Sequence, residues 1–143
     1  MKTIEINLEN LRLAKEKIPA NVPVMMLNLL RYKDQADYGE QHDQSSPSSG
    51  RDVYFQQYAP AFNQVASNLK VIGIAPFWVG NVLAGLVAPD IEQWDDIALV
   101  AYPDFAAFCL VVESEDYLIH AAHHRLAALE DWRLMAMVKI NLA

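Results

Sequence analysis

The apolar positions of this chain alternate between helical spacing and nearly continuous runs. Residues 7–18 repeat apolar side chains at helical intervals, with Leu11, Ala14 and Ile18 on one side. This pattern predicts an amphipathic helix that ends at the prolines that follow it. Residues 1–20 are therefore assigned to an N-terminal helical extension.

Residues 22–33 form a nearly continuous apolar run, VPVMMLNLLRYK. A run of this length is typical of a strand buried on both faces. Asn28 lies near its centre, and a buried amide needs hydrogen-bond partners. The partners are either backbone groups of the protein or a bound small molecule, and the sequence leaves both open.

Residues 34–50 are polar and have no hydrophobic periodicity. A loop of this length is uncommon in a compact domain unless it has a function or is disordered. We predict a flexible loop here, either a lid over a pocket or a mobile surface segment.

The rest of the chain predicts two helical regions and three main strands. Residues 51–69 carry aromatic side chains on one helix face, and Pro60 is expected to kink or divide that helix. Asp104 and Ser114 are suitable N-cap residues for the later helices, the second of which is predicted to run to residue 129. The strands are predicted at residues 70–79, 96–102 and 132–142, with a short extra strand at 82–87.

Without the N-terminal helix, the order of elements is β-α-β-β-α-β. This order predicts an α+β, ferredoxin-like fold, in which two helices cover one face of a four-stranded antiparallel sheet. The 143 residues fit a single domain, residues 1–143.

The predicted strands are apolar on both faces, whereas a half-exposed sheet alternates apolar with polar residues. Four strands of about six residues present roughly 400 Å² of sheet. That area is near the limit of what a soluble monomer leaves exposed. Because the helices cover only one face, we expect a second copy of the chain to cover the other and form a homodimer.

Composition narrows the classes of function. The net charge of −7 and the lack of a basic stripe disfavour nucleic acid as a partner. No apolar run reaches the roughly 20 residues of a membrane helix. The N-terminus shows no signal segment, so we expect a cytoplasmic protein without membrane contact. Cys109, the single cysteine, lies in an apolar stretch typical of a buried, inert thiol.

No motif in the chain indicates a cofactor or a metal. The five glycines are not clustered, and there is no phosphate-binding loop or nucleophile motif. His120 and His124 lie at i and i+4 of one predicted helix and could share a metal ion, but the sequence offers no third ligand. We therefore expect neither metal nor cofactor, and we prefer a role for these histidines in capping or solvating the helix.

Several segments together resemble the domain-of-unknown-function-1330 family, which belongs among the dimeric α/β-barrel proteins. They are PVMMLNLLRYK from Pro23, Tyr54 and Tyr58, QWDD at 93–96, AYP at 101–103, Phe108, Tyr117, and HRLAALED at 124–131. The resemblance spans residues 8–142. It implies a ferredoxin-like fold that pairs sheet to sheet as a dimeric α/β barrel, with a pocket in each subunit and no established reaction. Relatives on this fold include cofactor-free monooxygenases, small-molecule isomerases and haem-degrading enzymes, so a step from fold to function is analogy.

A small set of side chains are candidates for a small-molecule site. His124, in a segment shared with the family, is the candidate acid or base near neutral pH. Arg125 either clamps a carboxylate or enolate, or pairs with Glu130 or Asp131, or interacts favourably with the helix dipole. Asn28 is expected to orient a carbonyl group. The candidate wall residues, for which core filling is the default alternative, are Trp78, Trp94 and Tyr102.

Two interpretations of function remain open. In the first, a homodimer binds a small apolar or aromatic molecule and, if it is an enzyme, performs cofactor-independent proton transfer or monooxygenase-like oxygenation on it. In the second, the homodimer is a non-catalytic binding or structural protein. A cavity in which Asn28 and a histidine converge favours the enzyme, and a filled core favours the alternative.

Overall fold

The computed structural model describes residues 2–39 and 48–142 of the chain. Its strands are β1 (Val24–Tyr32), β2 (Ala75–Asn81), β3 (Asp96–Tyr102) and β4 (Leu129–Met137). Its helices are α1 (Leu8–Lys17), α2 (Gly50–Val53), α3 (Ala59–Asn68), α4 (Phe105–Val112), α5 (Glu115–His120) and α6 (Ala122–Ala128), with a π-helical turn at Tyr54–Tyr58. Residues 40–47, part of the predicted flexible loop, lie outside the described residues.

The four strands form one antiparallel sheet in the order β2-β3-β1-β4. This order, with helices inserted after β1 and β3, is the ferredoxin-like arrangement, and the predicted α+β fold is confirmed. The central strand β1 pairs with both β3 and β4. Its Asn28 therefore lies opposite Ala98 on one side and Leu134 on the other.

Side chains along β1 alternate between a buried inner face and a partly exposed outer face. The inner set includes Val24, Met26 and Leu30, which belong to one core with side chains of the helices. The helices therefore cover the inner face of the sheet. Among the described residues, no helix has both the length and the apolar content needed to cross a bilayer.

The outer face of the sheet is also apolar. Leu27 of β1 lies beside Leu99 of β3 and Met135 of β4, and Trp78 of β2 lies beside Leu99. Trp78 is 57% exposed and Met135 is 46% exposed. The strands therefore carry apolar side chains on both faces, as the sequence predicts, and the described part of the chain covers only one of them.

Pro60 divides the long helical region. Proline has no N–H, and its ring would collide with the carbonyl group four residues earlier, that of Gln56. The helix widens before the proline into the π turn, in which the Ala59 N–H donates to the Tyr54 carbonyl oxygen. Tyr54 and Tyr58 both remain buried across this turn.

Some element boundaries differ from the prediction. The strand predicted at 70–79 begins at Ala75, because Lys70 and Gly73 adopt φ values of 58° and 89°, outside the extended region. Residues 82–87, predicted as a short strand, form none.

The helix predicted to run from Ser114 to residue 129 is interrupted at Ala121, where φ is −119°. It becomes α5 and α6, and β4 begins at Leu129 rather than at residue 132. His120 and His124 consequently belong to different helices, so the i and i+4 geometry expected for them is wrong.

Gly50 begins α2 at a point of very close backbone contact. Its N–H donates to the Lys33 carbonyl oxygen at 3.0 Å. A Cβ atom added to Gly50 would overlap the carbonyl oxygens of both Lys33 and Ala128. Because both neighbours are backbone atoms, the approach of α2 to β1 and α6 requires glycine here.

We expect Gly50→Ala to lower the free energy of unfolding by about 1–3 kcal/mol, the usual effect of overpacking a site that cannot relax. Urea denaturation measures this change. Gly85→Ala is the matched control, because the nearest atom to a Cβ there is the Ala88 methyl group at 3.4 Å. We expect the control to stay within about 0.5 kcal/mol of the wild type, and equal losses in both variants would contradict the packing argument.

Candidate functional site

A cavity of about 230 Å³ lies between the inner face of the sheet and the helices. Side chains from the strands form its floor, among them Asn28, Ala98, Val100, Tyr102, Trp132 and Leu134. Side chains from the helical regions form its roof, among them Tyr54, Tyr58, Phe62, Phe108, Val112 and Tyr117. Of the described residues that line this cavity, none carries a formal charge. A cavity of this kind suits a small apolar or aromatic molecule with few polar atoms.

Asn28 is buried in the floor and is hydrogen-bonded to both neighbouring strands. Its Nδ2 donates to the Ala98 carbonyl oxygen at 3.3 Å, and its Oδ1 accepts from Trp132 Nε1 at 3.0 Å. The amide therefore has partners within the fold. An asparagine amide has two N–H groups, and the described residues accept from one of them. The second N–H is available to a molecule in the cavity.

Two tyrosines of the roof are joined to a buried arginine. The hydroxyl oxygens of Tyr58 and Tyr117 lie 2.8 Å apart, which is within hydrogen-bonding distance. Arg125 Nη1 donates to the Tyr117 hydroxyl oxygen. The guanidinium also lies over the Trp132 ring, with Cζ 4.8 Å from the ring centroid, in a cation–π arrangement. Arg125 thus lies directly behind the cavity wall and contacts two of its aromatic residues.

Burial keeps three of the cavity tyrosines in their neutral form. Desolvation raises the pKa values of Tyr54, Tyr58 and Tyr102 above the usual range, because a buried phenolate loses its hydration. Burial acts to lower the pKa of Arg125, but its interactions with Tyr117 and Tyr58 outweigh burial and raise that pKa overall. The guanidinium therefore stays charged.

The structure places His124 away from the cavity, in contrast to its predicted position in the pocket. Its Nδ1 lies 2.6 Å from the Tyr38 hydroxyl oxygen, and its ring centroid is 4.0 Å from that of His123. The break at Ala121 turns α6 so that Arg125, rather than His124, points toward the cavity wall. His120 lies on α5 beside Asp116, with Nε2 3.6 Å from a carboxylate oxygen.

Trp78 and Trp94 were expected to line the cavity, but neither of them does. A register shift between Pro76 and Trp78 changes the alternation in β2 and places Trp78 on the outer face beside Leu99. Trp94 Nε1 donates to a Glu92 carboxylate oxygen at 2.9 Å. The Arg133 guanidinium lies over the Trp94 ring, 5.0 Å from its centroid. These two tryptophans therefore belong to surfaces outside the cavity, whereas Tyr102 lines it.

Sequence reasoning did not propose Tyr58, Tyr117 or Trp132 as site residues. The spacing of Tyr54 and Tyr58 on one helix face was a signal for the roof. Nothing in the local sequence brings Tyr117 to Tyr58, since they lie 59 positions apart. Within residues 2–39 and 48–142, no group of three or more His, Cys, Asp or Glu side chains is arranged to hold a metal ion.

No protein-family model matches the chain, and a comparison with curated protein sequences finds no significant match. Solved structures do show similarity. The RPA0582 protein of unknown function from Rhodopseudomonas palustris is 26% identical, with a TM-score of 0.81 over 99% of this chain and 100% of that chain.

A crystal structure of methylated RPA0582 protein has a TM-score of 0.79, at 26% identity over 98% of this chain and 96% of that chain. The hydroxynitrile lyase from Passiflora edulis is more distant. It has a TM-score of 0.53 at 14% identity, over 86% of this chain and 98% of that chain. The RPA0582 structures support the ferredoxin-like fold along nearly the whole chain, and the lyase shares that fold.

The hydrogen bond between Asn28 and Trp132 generates a prediction about stability. We expect Asn28→Ala to lower the free energy of unfolding by about 1–3 kcal/mol without ligand, because the buried Trp132 N–H loses its acceptor. Trp132→Phe removes the donor, so in the double variant the loss should be less than additive, with a coupling of about 1 kcal/mol. Urea melts of the four proteins complete the cycle. Strict additivity would show that Asn28 stabilises the fold by other contacts.

Proposed function

We propose that this protein binds a small apolar or aromatic molecule in the cavity between its sheet and its helices. The observation that carries the proposal is the cavity itself, in which aromatic walls surround the unused N–H of Asn28. A cavity of about 150 Å³ with apolar walls binds benzene. This cavity, at about 230 Å³, is large enough for one aromatic ring with a few substituent atoms.

The enzymatic form of this proposal is cofactor-independent proton transfer or oxygenation of the bound molecule. Convergence of Asn28 and a histidine on the cavity would favour the enzyme. Asn28 lines the cavity, but His124 contacts Tyr38 instead. The proton-carrying groups along the cavity are instead tyrosine hydroxyl groups, among them those of Tyr58 and Tyr117. Binding is the function that the geometry supports best, and a non-catalytic binding protein is the alternative to the enzyme.

We further propose that the protein is a homodimer, that its outer sheet face is the interface, and that it belongs to the domain-of-unknown-function-1330 family. The sheet alone offers roughly 400 Å² per subunit, whereas a standard interface buries about 800 Å² on each partner. Apolar side chains adjoin the sheet in the connection after β2 and in the segment after β4. Leu83 and Leu142 are each 89% exposed. Their burial would bring the interface closer to the area of about 800 Å² per partner.

The ligand-binding proposal is tested with toluene and nitrobenzene as neutral aromatic probes. We expect each probe to raise the melting temperature, because a ligand at ten times its Kd stabilises the folded state by about 1.4 kcal/mol. Ala59→Phe places a ring in the cavity wall and should abolish the shift. Ala106→Phe, the same change at an exposed position of α4, should preserve it. A wild type that responds to neither of these probes, nor to benzoate, would refute the proposal.

The homodimer is tested by light scattering at micromolar concentration. The wild type should have a mass of about twice 16.1 kDa. Leu99→Glu places a charge at the centre of the outer face and should give a folded monomer, since burying an unpaired charge is costly. Leu118→Glu, the same change at a residue of α5 that is 62% exposed, should remain dimeric. A monomeric wild type would show that the outer face is not such an interface.

A further inference from the structure

Tyr58 and Tyr117 together retain one hydroxyl proton that no described residue accepts. Each hydroxyl has one proton to donate. One of the two protons makes the bond between the two oxygens, which lie 2.8 Å apart. Arg125 can only donate, so it takes neither proton and occupies an acceptor position on Tyr117. Both tyrosines line the cavity, and the remaining O–H can therefore donate to a molecule bound there.

Arg125 places a positive charge behind this hydroxyl pair, with no acidic partner among the described residues. The residue is 5% exposed. Its Nε is buried and has no hydrogen-bond partner. Buried charges in proteins are usually paired, because a charge loses its hydration on burial. A buried cation that contacts aromatic rings and a hydroxyl group, without a described acidic partner, therefore favours an anion nearby.

Two polar groups of the cavity lining suit an anionic ligand. The second Asn28 N–H and the spare tyrosine O–H are both donors. No carboxylate lines the cavity among the described residues, so no acidic side chain repels an anion there. The lining otherwise consists largely of aromatic and aliphatic side chains, which suit a ring.

We propose that the natural ligand is an aromatic or similarly apolar anion whose carboxylate or enolate oxygen accepts the spare proton of the Tyr58–Tyr117 pair. This inference rests on the proposed function and adds the chemical class of the ligand. Arg125 is a positioning residue, because it acts through Tyr117 rather than by touching the ligand. It fixes the direction of the Tyr117 hydroxyl and supplies the charge that selects an anion over a neutral molecule of the same shape.

Benzoate and nitrobenzene provide the test, because they have nearly the same planar shape and differ in charge. Isothermal titration calorimetry at pH 7 measures both affinities, with toluene as the fully apolar reference. We expect benzoate to bind at least about tenfold more tightly than nitrobenzene, the effect of one hydrogen bond to a charged group. Binding of nitrobenzene and toluene with weaker or absent binding of benzoate would overturn the anion inference alone. Failure of all three would overturn the proposed function as well.

Two variants assign the preference to these residues. Arg125→Met keeps most of the side-chain length and removes the charge, so the ratio of benzoate to nitrobenzene affinity should fall to about one. Arg125→Lys should restore part of that ratio, which a purely structural role of the arginine would not predict. The double change Tyr58→Phe and Tyr117→Phe removes both protons and should weaken benzoate binding about tenfold, with nitrobenzene changed less than about twofold.

The matched control is Tyr32→Phe, which removes a buried hydroxyl bonded to Asp96, outside the cavity. Its affinity ratio should equal that of the wild type. If Arg125→Met does not fold, the double tyrosine variant decides the question, since an unchanged ratio in that protein contradicts the proposal.

Discussion

The buried amide of Asn28 must find hydrogen-bond partners, and the way it finds them ties the strands to the cavity. It accepts from Trp132 on β4 and donates to the backbone of Ala98 on β3. The central strand is thereby linked by a side chain, as well as by the backbone ladder, to both of its neighbours. Because the amide is already held from two sides, its second N–H has a fixed direction. A fixed donor costs little entropy when a ligand accepts from it.

Because side chains alternate along the strands, the two faces of the sheet carry different side chains and differ in what they can contact. The inner face holds Asn28 and the cavity floor, whereas the outer face presents Leu27, Leu99 and Met135. A shift of one residue in strand register would exchange these faces and expel the amide from the cavity. The apolar outer face and the polar group of the inner face therefore both constrain the register of β1. A homodimer through the outer face would leave each cavity between its own sheet and helices.

The fold could be predicted from the sequence because it depends on local patterns. The predicted strand at residues 96–102 has the observed bounds, and Asn28, predicted to be a buried amide within a strand, is buried on the inner face of β1. Trp78 could not be placed, because a shift in pairing register changes which side chains face the core without a clear local signal. The position of Arg125, rather than His124, at the cavity wall could not be predicted either. It depends on a change of helix direction at Ala121.

The Tyr58–Tyr117–Arg125 arrangement was beyond local reasoning for a different reason. It joins a π-helical turn that follows one strand to two helices that follow another, and only tertiary packing brings them together. Both tyrosines are among the residues that carry the resemblance to a family. Their role could not be inferred without knowing which residues they contact. Burial and hydrogen bonding in the fold supply that role, because they decide which protons remain to be donated.

The size of the cavity bears on whether it is incidental. Residual cavities in protein cores cost about 24 cal/mol per Å³, so a space of about 230 Å³ would cost roughly 5.5 kcal/mol if it were fully enclosed and dry. Whole domains are stable by only about 5–15 kcal/mol. Larger side chains at residues 59 and 98 would reduce this space, but both residues are alanine. An open space of this size, lined by residues with unused donors and backed by a buried cation, is more consistent with a site that a ligand fills than with imperfect packing of a structural core.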